Sequence, residues 1–197
     1  MKIKQLLVPL SFLTLLLTTQ VASAKNMVGW RVKGSGSGIV EGKRYSLYNL
    51  DQKSHLGYQD RRGANLGWDS QPNSGMKIKR QSGSGAIKCG ENFALFIEKE
   101  WLIYEKQTTG INISTRTKLA DDRYQWKFSD CQRGEVIQLN KPVTLVNTVE
   151  NDSVVGCKRV WGVNLCWANT VFSYDGKNYH KDAIPSWIKN RVPVPLP

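Results

Sequence analysis

The chain has 197 residues, 40% of them hydrophobic and 22% charged, with 28 Lys+Arg against 16 Asp+Glu for a net charge of +12. Ordinary apolar content with 17 Gly and 7 Pro excludes a collagen-like, low-complexity or disordered chain. Two His and four Cys, all four beyond residue 88, exclude a His-rich metal site or a multi-heme protein. Residues 1–24 then read as a secretory leader. Lys2 and Lys4 precede an apolar run from Leu6 to Leu17, and Ala22-Ser23-Ala24 supplies small residues for cleavage after Ala24. The run is shorter than the ~20 residues a spanning helix needs, and it contains Pro9. Loss of Lys2 and Lys4 with the leader leaves +10 on a secreted or periplasmic protein with no transmembrane segment. In such a compartment four cysteines imply two disulfides, with three connectivities open, and no C-x-x-C pair supports zinc.

From Trp30 onward three segments align. The first passes from Trp30 through Ser46-Leu47-Tyr48 and Leu56-Gly57-Tyr58 to Gly63-Ala64-Asn65-Leu66-Gly67-Trp68. The second runs from Met76 through Ala94-Leu95-Phe96 and Leu102-Ile103-Tyr104 to Gly110-Ile111-Asn112-Ile113-Ser114-Thr115. The third runs from Trp126 through Thr144-Leu145-Val146 and Val155-Gly156-Cys157 to Gly162-Val163-Asn164-Leu165-Cys166-Trp167. Apolar residues alternate over four to six positions in each, which is the period of strands. Four short strands per unit make twelve. Gly34-Ser35-Gly36-Ser37-Gly38 and Gly83-Ser84-Gly85 look like phosphate cradles, but Ile39 and Ile87 introduce extended chain where a cradle requires a helix. They read as linkers. The repeated Gly-x-Asn is a turn device, which is also the plainer role for Asn112 in its glycosylation-type pattern. Beyond Asn169 the repeat ends, Asp175-Gly176 signals a tight hairpin, and Pro193, Pro195 and Pro197 end the chain extended.

Twelve strands in three equivalent units resemble a β-trefoil, a six-stranded barrel capped by three hairpins. The resemblance covers about residues 28–169, within a domain spanning residues 25–169, with residues 170–197 as a C-terminal extension. Exported proteins of this shape include ricin-type lectins and Kunitz (soybean-type) protease inhibitors. The lectins carry Gln-x-Trp near each unit end, where this chain has Gly67-Trp68, Ser114-Thr115 and Cys166-Trp167, so no sugar-site residue is carried over. The inhibitors carry one long disulfide loop and one short hairpin staple, a layout that Cys89–Cys131 and Cys157–Cys166 would mimic. The cysteine positions predict the same pairing independently. Cys157 and Cys166 flank a hairpin turning at Trp161-Gly162 in mirror register, and Cys89 pairs with Cys131 by elimination.

Little points to catalysis: neither His55 nor His180 has a partner at a telling spacing, so no enzyme activity, metal or cofactor is expected. A binding surface remains. The loop before each shared Gly carries Arg61 and Arg62, then Lys106, then Lys158 and Arg159, with Trp161 beside the last pair. Repeat-equivalent positions lie at one height around a trefoil axis, so these residues predict a basic ring for a glycan or another polyanionic surface ligand. Trp30, Trp68, Trp126 and Trp167 are expected in the core. The resulting expectation is a secreted, non-enzymatic binding module, with no specific nucleic-acid partner. A Kunitz-like inhibitor, or a subunit docking a protein partner through its tail, is the alternative.

Overall fold

The computed structural model describes residues 29–59, 65–73, 75–105, 113–157, 165–174 and 177–180. Among them the protein is all-β, with antiparallel ladders and one 3₁₀ turn, η1 (Ala168–Thr170). In chain order the strands are β1 (Trp30–Lys33), β2 (Ser46–Asn49), β3 (Ser54–Tyr58), β4 (Leu66–Asp69), β5 (Met76–Arg80), β6 (Phe93–Ile97), β7 (Glu100–Tyr104) and β8 (Ile113–Arg116). They continue with β9 (Trp126–Ser129), β10 (Pro142–Asn147), β11 (Asp152–Gly156), β12 (Leu165–Trp167), β13 (Val171–Tyr174) and β14 (Lys177–His180). No helix among the described residues is long and apolar enough to cross a membrane.

Alternation explains the strands. In β1 Trp30 and Val32 are buried while Arg31 and Lys33 are half-buried, and β9 repeats this with Trp126 and Phe128 against Lys127 and Ser129. β5 buries Met76 and Ile78 and turns Lys77 and Lys79 outward. A period of two is what a pleated strand with one apolar face requires. Each strand pairs with its successor within β1–β4, β5–β8 and β9–β12. The three groups join in the same way. Trp30 pairs with Val143, Phe93 with Trp126, and Tyr45 with Met76, the last through backbone bonds of 2.9 and 3.0 Å. The result is a curled antiparallel sheet around one core.

The glycine-rich linkers do not open helices. They deliver Ile39 and Ile87, both fully buried, to the centre, where Ile87 N donates to Ile39 O (2.8 Å) and Ile137 N to Ile87 O (3.0 Å). Two tryptophans tie distant strands together. Trp30 Nε1 donates to Val154 O at 2.6 Å and Trp126 Nε1 to Leu102 O at 2.7 Å. Trp167 is buried, whereas Trp68 is only half-buried and lies against Trp30 with ring centroids 6.2 Å apart.

Cys89 is paired with Cys131 and Cys157 with Cys166, each with Cα atoms 5.9 Å apart. The second pair is not in mirror register. Val155 lies opposite Cys166 and Gly156 opposite Leu165, so Cys157 reaches Cys166 diagonally, from two residues further along its strand. Alternation alone could not supply that offset. β13 and β14 form a separate two-stranded sheet whose register brackets Asp175 and Gly176, both outside the described residues.

Candidate functional site

All six residues expected to bind a ligand, Arg61, Arg62, Lys106, Lys158, Arg159 and Trp161, lie outside the described residues. The ladders leading to them are equivalent: Tyr58 pairs with Leu66, Tyr104 with Ile113 and Gly156 with Leu165.

The described strands carry a second set of candidates on their outward faces. Because adjacent strands are in register, outward residues form rows. One row runs Arg31, Tyr48, His55, Asp69 across β1–β4, although His55 in it is buried. The next runs Lys77, Phe96, Trp101, Arg116 across β5–β8. The third runs Lys127, Val146, Ser153 across β9–β11. Each row starts with a cation on the strand that opens its group. A second row lies beside it, with Lys33 opposite Ser46, Lys79 opposite Ala94 and Ser129 opposite Thr144.

The β5–β8 face has the strongest character. Phe96 and Trp101, both half-buried, meet edge to face with centroids 5.0 Å apart. Lys77 Nζ stands 5.6 Å from the Phe96 centroid, and Lys79 and Arg116 are exposed. Arg116 is also ion-paired with Glu105. The open part of these half-buried rings, beside three cations, can stack on the apolar face of a sugar ring while a cation contacts an anionic substituent.

On the β1–β4 face Lys33 Nζ lies 4.0 Å from the Tyr48 ring centroid, and His55 meets Tyr48 at 4.9 Å. Folding gives His55 the partner its sequence neighbours lack: Ser46 Oγ is 2.5 Å from His55 Nδ1. Asp69 stands opposite His55 in the ladder, but its Oδ2 accepts a 2.8 Å bond from Asn73 Nδ2. Ser46 is 4% exposed. Ser46 is enclosed and the Asp69 carboxylate is bonded to Asn73, so these side chains form a packed polar cluster.

Burial of His55, followed by the nearby Lys33 charge, lowers its pKa from the ordinary 6.5 against the opposing pull of Asp69. The unfolded chain then binds the proton more readily than the folded one. Stability is therefore complete above 6.5 and is lost as pH falls from there toward the lowered folded value. Urea midpoints measured between pH 8 and 5 should fall more steeply for the wild type than for His55→Gln. Parallel curves would dismiss His55 as the responsible group.

Among the described residues no group of three or more His, Cys, Asp or Glu side chains is placed to hold a metal ion. The aromatic–cationic rows escaped the sequence reading because Lys77 and Lys79 read simply as strand residues. Their shared alternation with Arg31, Lys33 and Lys127 was the available signal. No protein-family model, curated protein or solved structure matches the chain.

Proposed function

We propose that this chain is an exported, non-enzymatic β-trefoil module that binds anionic glycans. The observation that carries the reading is the β5–β8 face, where Phe96 and Trp101 are flanked by Lys77, Lys79 and Arg116. Support for the trefoil comes from the pairing circuit β1–β2, β2–β5 through the Tyr45–Met76 bridge, β5–β6, β6–β9, β9–β10 and β10–β1, which returns to its start. Further support comes from Ile39, Ile87 and Ile137, which occupy like positions in the three groups. Export is supported by the leader pattern and the two cysteine pairs. On this reading Arg61, Arg62, Lys106, Lys158 and Arg159 add positive charge that draws polyanions toward the molecule, with Trp161 beside the last pair in sequence.

The test compares two charge-matched variants on heparin. Lys77→Ser/Lys79→Ser/Arg116→Ser and Arg61→Ser/Arg62→Ser/Arg159→Ser each remove three positive charges. Retention of the wild type should weaken steeply with salt, because exposed charges are screened beyond ~8 Å at physiological ionic strength. The strand variant should lose retention far more than the loop variant, with stability changed by no more than about 0.5 kcal/mol. Trp101→Ala, which leaves charge untouched, should weaken binding about tenfold, the scale of one stacking or cation–π contact. Equal losses in the two triple variants, with no effect of Trp101→Ala, would reduce the interaction to net-charge attraction.

A further inference from the structure

The third face differs from its neighbours in shape and in charge. Where β5–β8 places Phe96 and Trp101, and β1–β4 places Tyr48 and His55, the β9–β11 row has Val146 and Ser153. Smaller side chains at those positions leave a groove of about 310 Å³, bordered by Lys127, Ser129, Asp130, Thr144, Asp152 and Ser153. That volume is at the lower end of ligand sites, which span about 300–1,000 Å³, and suits one small ring rather than a polymer segment.

We propose that this groove binds, through its hydroxyls, a single sugar residue that carries no anionic group. The proposal shares the glycan-binding reading but depends on none of the residues that carry it. A sugar hydroxyl donates one hydrogen bond and accepts others, so its natural partners are carboxylates, hydroxyls and an ammonium. Asp130 and Asp152 accept, Lys127 donates, and Ser129 and Ser153 do either. Both carboxylates are held in place by the fold. Thr144 Oγ1 donates to Asp130 Oδ2, while Asp152 Oδ1 accepts from Ser153 N at 2.7 Å and its Oδ2 from Asn169 N at 3.1 Å. Groups fixed in advance lose less entropy when a ligand binds. Charge narrows the class. Two carboxylates against one ammonium leave the groove net negative and oppose a sulfated or uronic residue.

Amide NMR titration of the purified protein tests this with the methyl glycosides of glucose, galactose and mannose, and with glucuronate as the anionic control, each to tens of millimolar. At least one neutral glycoside should shift the amides of Ser129, Thr144 and Ser153 in a saturating manner, and glucuronate should not. Asp130→Asn suits the positive φ of 62° at this position and should preserve the thermal midpoint. It should weaken the interaction at least about tenfold, as loss of a charge-assisted hydrogen bond does. Trp101→Ala should leave the titration unchanged. If no neutral glycoside shifts these amides, or glucuronate binds more tightly, the proposal is wrong. If the titration succeeds while heparin is not retained, the anionic-glycan reading falls and the groove stands.

Discussion

Replacing Trp30 by Ala should lower the free energy of unfolding by about 4 kcal/mol, within the range for deleting a buried tryptophan side chain. Trp30 is fully buried, packs against Trp68, and its Nε1 donates to Val154 O across 124 residues of sequence. The substitution removes apolar contacts and a side-chain hydrogen bond that links the first strand to β11. It leaves Val154 O without its indole donor, and an unmet buried acceptor adds about 1–3 kcal/mol on its own scale. Trp30→Phe keeps most of the volume and isolates that hydrogen bond, so it should cost about half as much. Trp126→Ala should behave like Trp30→Ala, because Trp126 is equally buried and bonds to Leu102 O in the same manner. Urea unfolding followed by far-UV circular dichroism provides the measurement. A loss below about 1 kcal/mol for Trp30→Ala would mean that the core does not depend on this ring.

Opening the long disulfide should have a comparable effect. Cys89 and Cys131 are 42 residues apart, and Cys89 is 6% exposed. In the loop-entropy description a closure of this length stabilises by about 4 kcal/mol, and the nine-residue closure between Cys157 and Cys166 by about 3 kcal/mol. For a domain of this size 4 kcal/mol corresponds to roughly 8–16 °C in thermal midpoint. Cys89→Ala/Cys131→Ala is the suitable variant, since alanine leaves no buried thiol or hydroxyl to satisfy. Its midpoint should fall by that amount under oxidising conditions, and excess reductant should bring the wild type below both double-alanine variants. An unchanged midpoint, or non-reducing peptide mapping that joins Cys89 to Cys157, would overturn the assignment.

Much of the candidate site was legible as composition and little of it as geometry. The alternation of Trp30 with Arg31 and of Met76 with Lys77 already sorts core from surface, because a strand with one buried face must repeat every two residues. The same alternation says nothing about which surface residue stands beside which. Ser46 and His55 are nine residues apart, and only the β2–β3 register brings Oγ to Nδ1. Lys77, Phe96, Trp101 and Arg116 come from four strands spread over forty positions, and three separate ladders must be in register before they form one row.

What the sequence determined by itself is therefore local: where strands run, which of their side chains face inward, and that four cysteines leave none free. Register and the joins between groups were decided only by the tertiary structure. A slip of one residue flips a strand's faces and is penalised strongly by the core, but a slip of two keeps the same faces and changes every neighbour. The diagonal Cys157–Cys166 bridge, two positions from mirror register, is such a case. The groove over β9–β11 is another. It arises because Val146 and Ser153 take row positions filled by Phe96 and Trp101 in the neighbouring group, and that equivalence exists only once Phe93 pairs with Trp126 and Trp30 with Val143. Such pairings between residues 33 and 113 positions apart are set by packing of the whole core, a condition no local pattern contains.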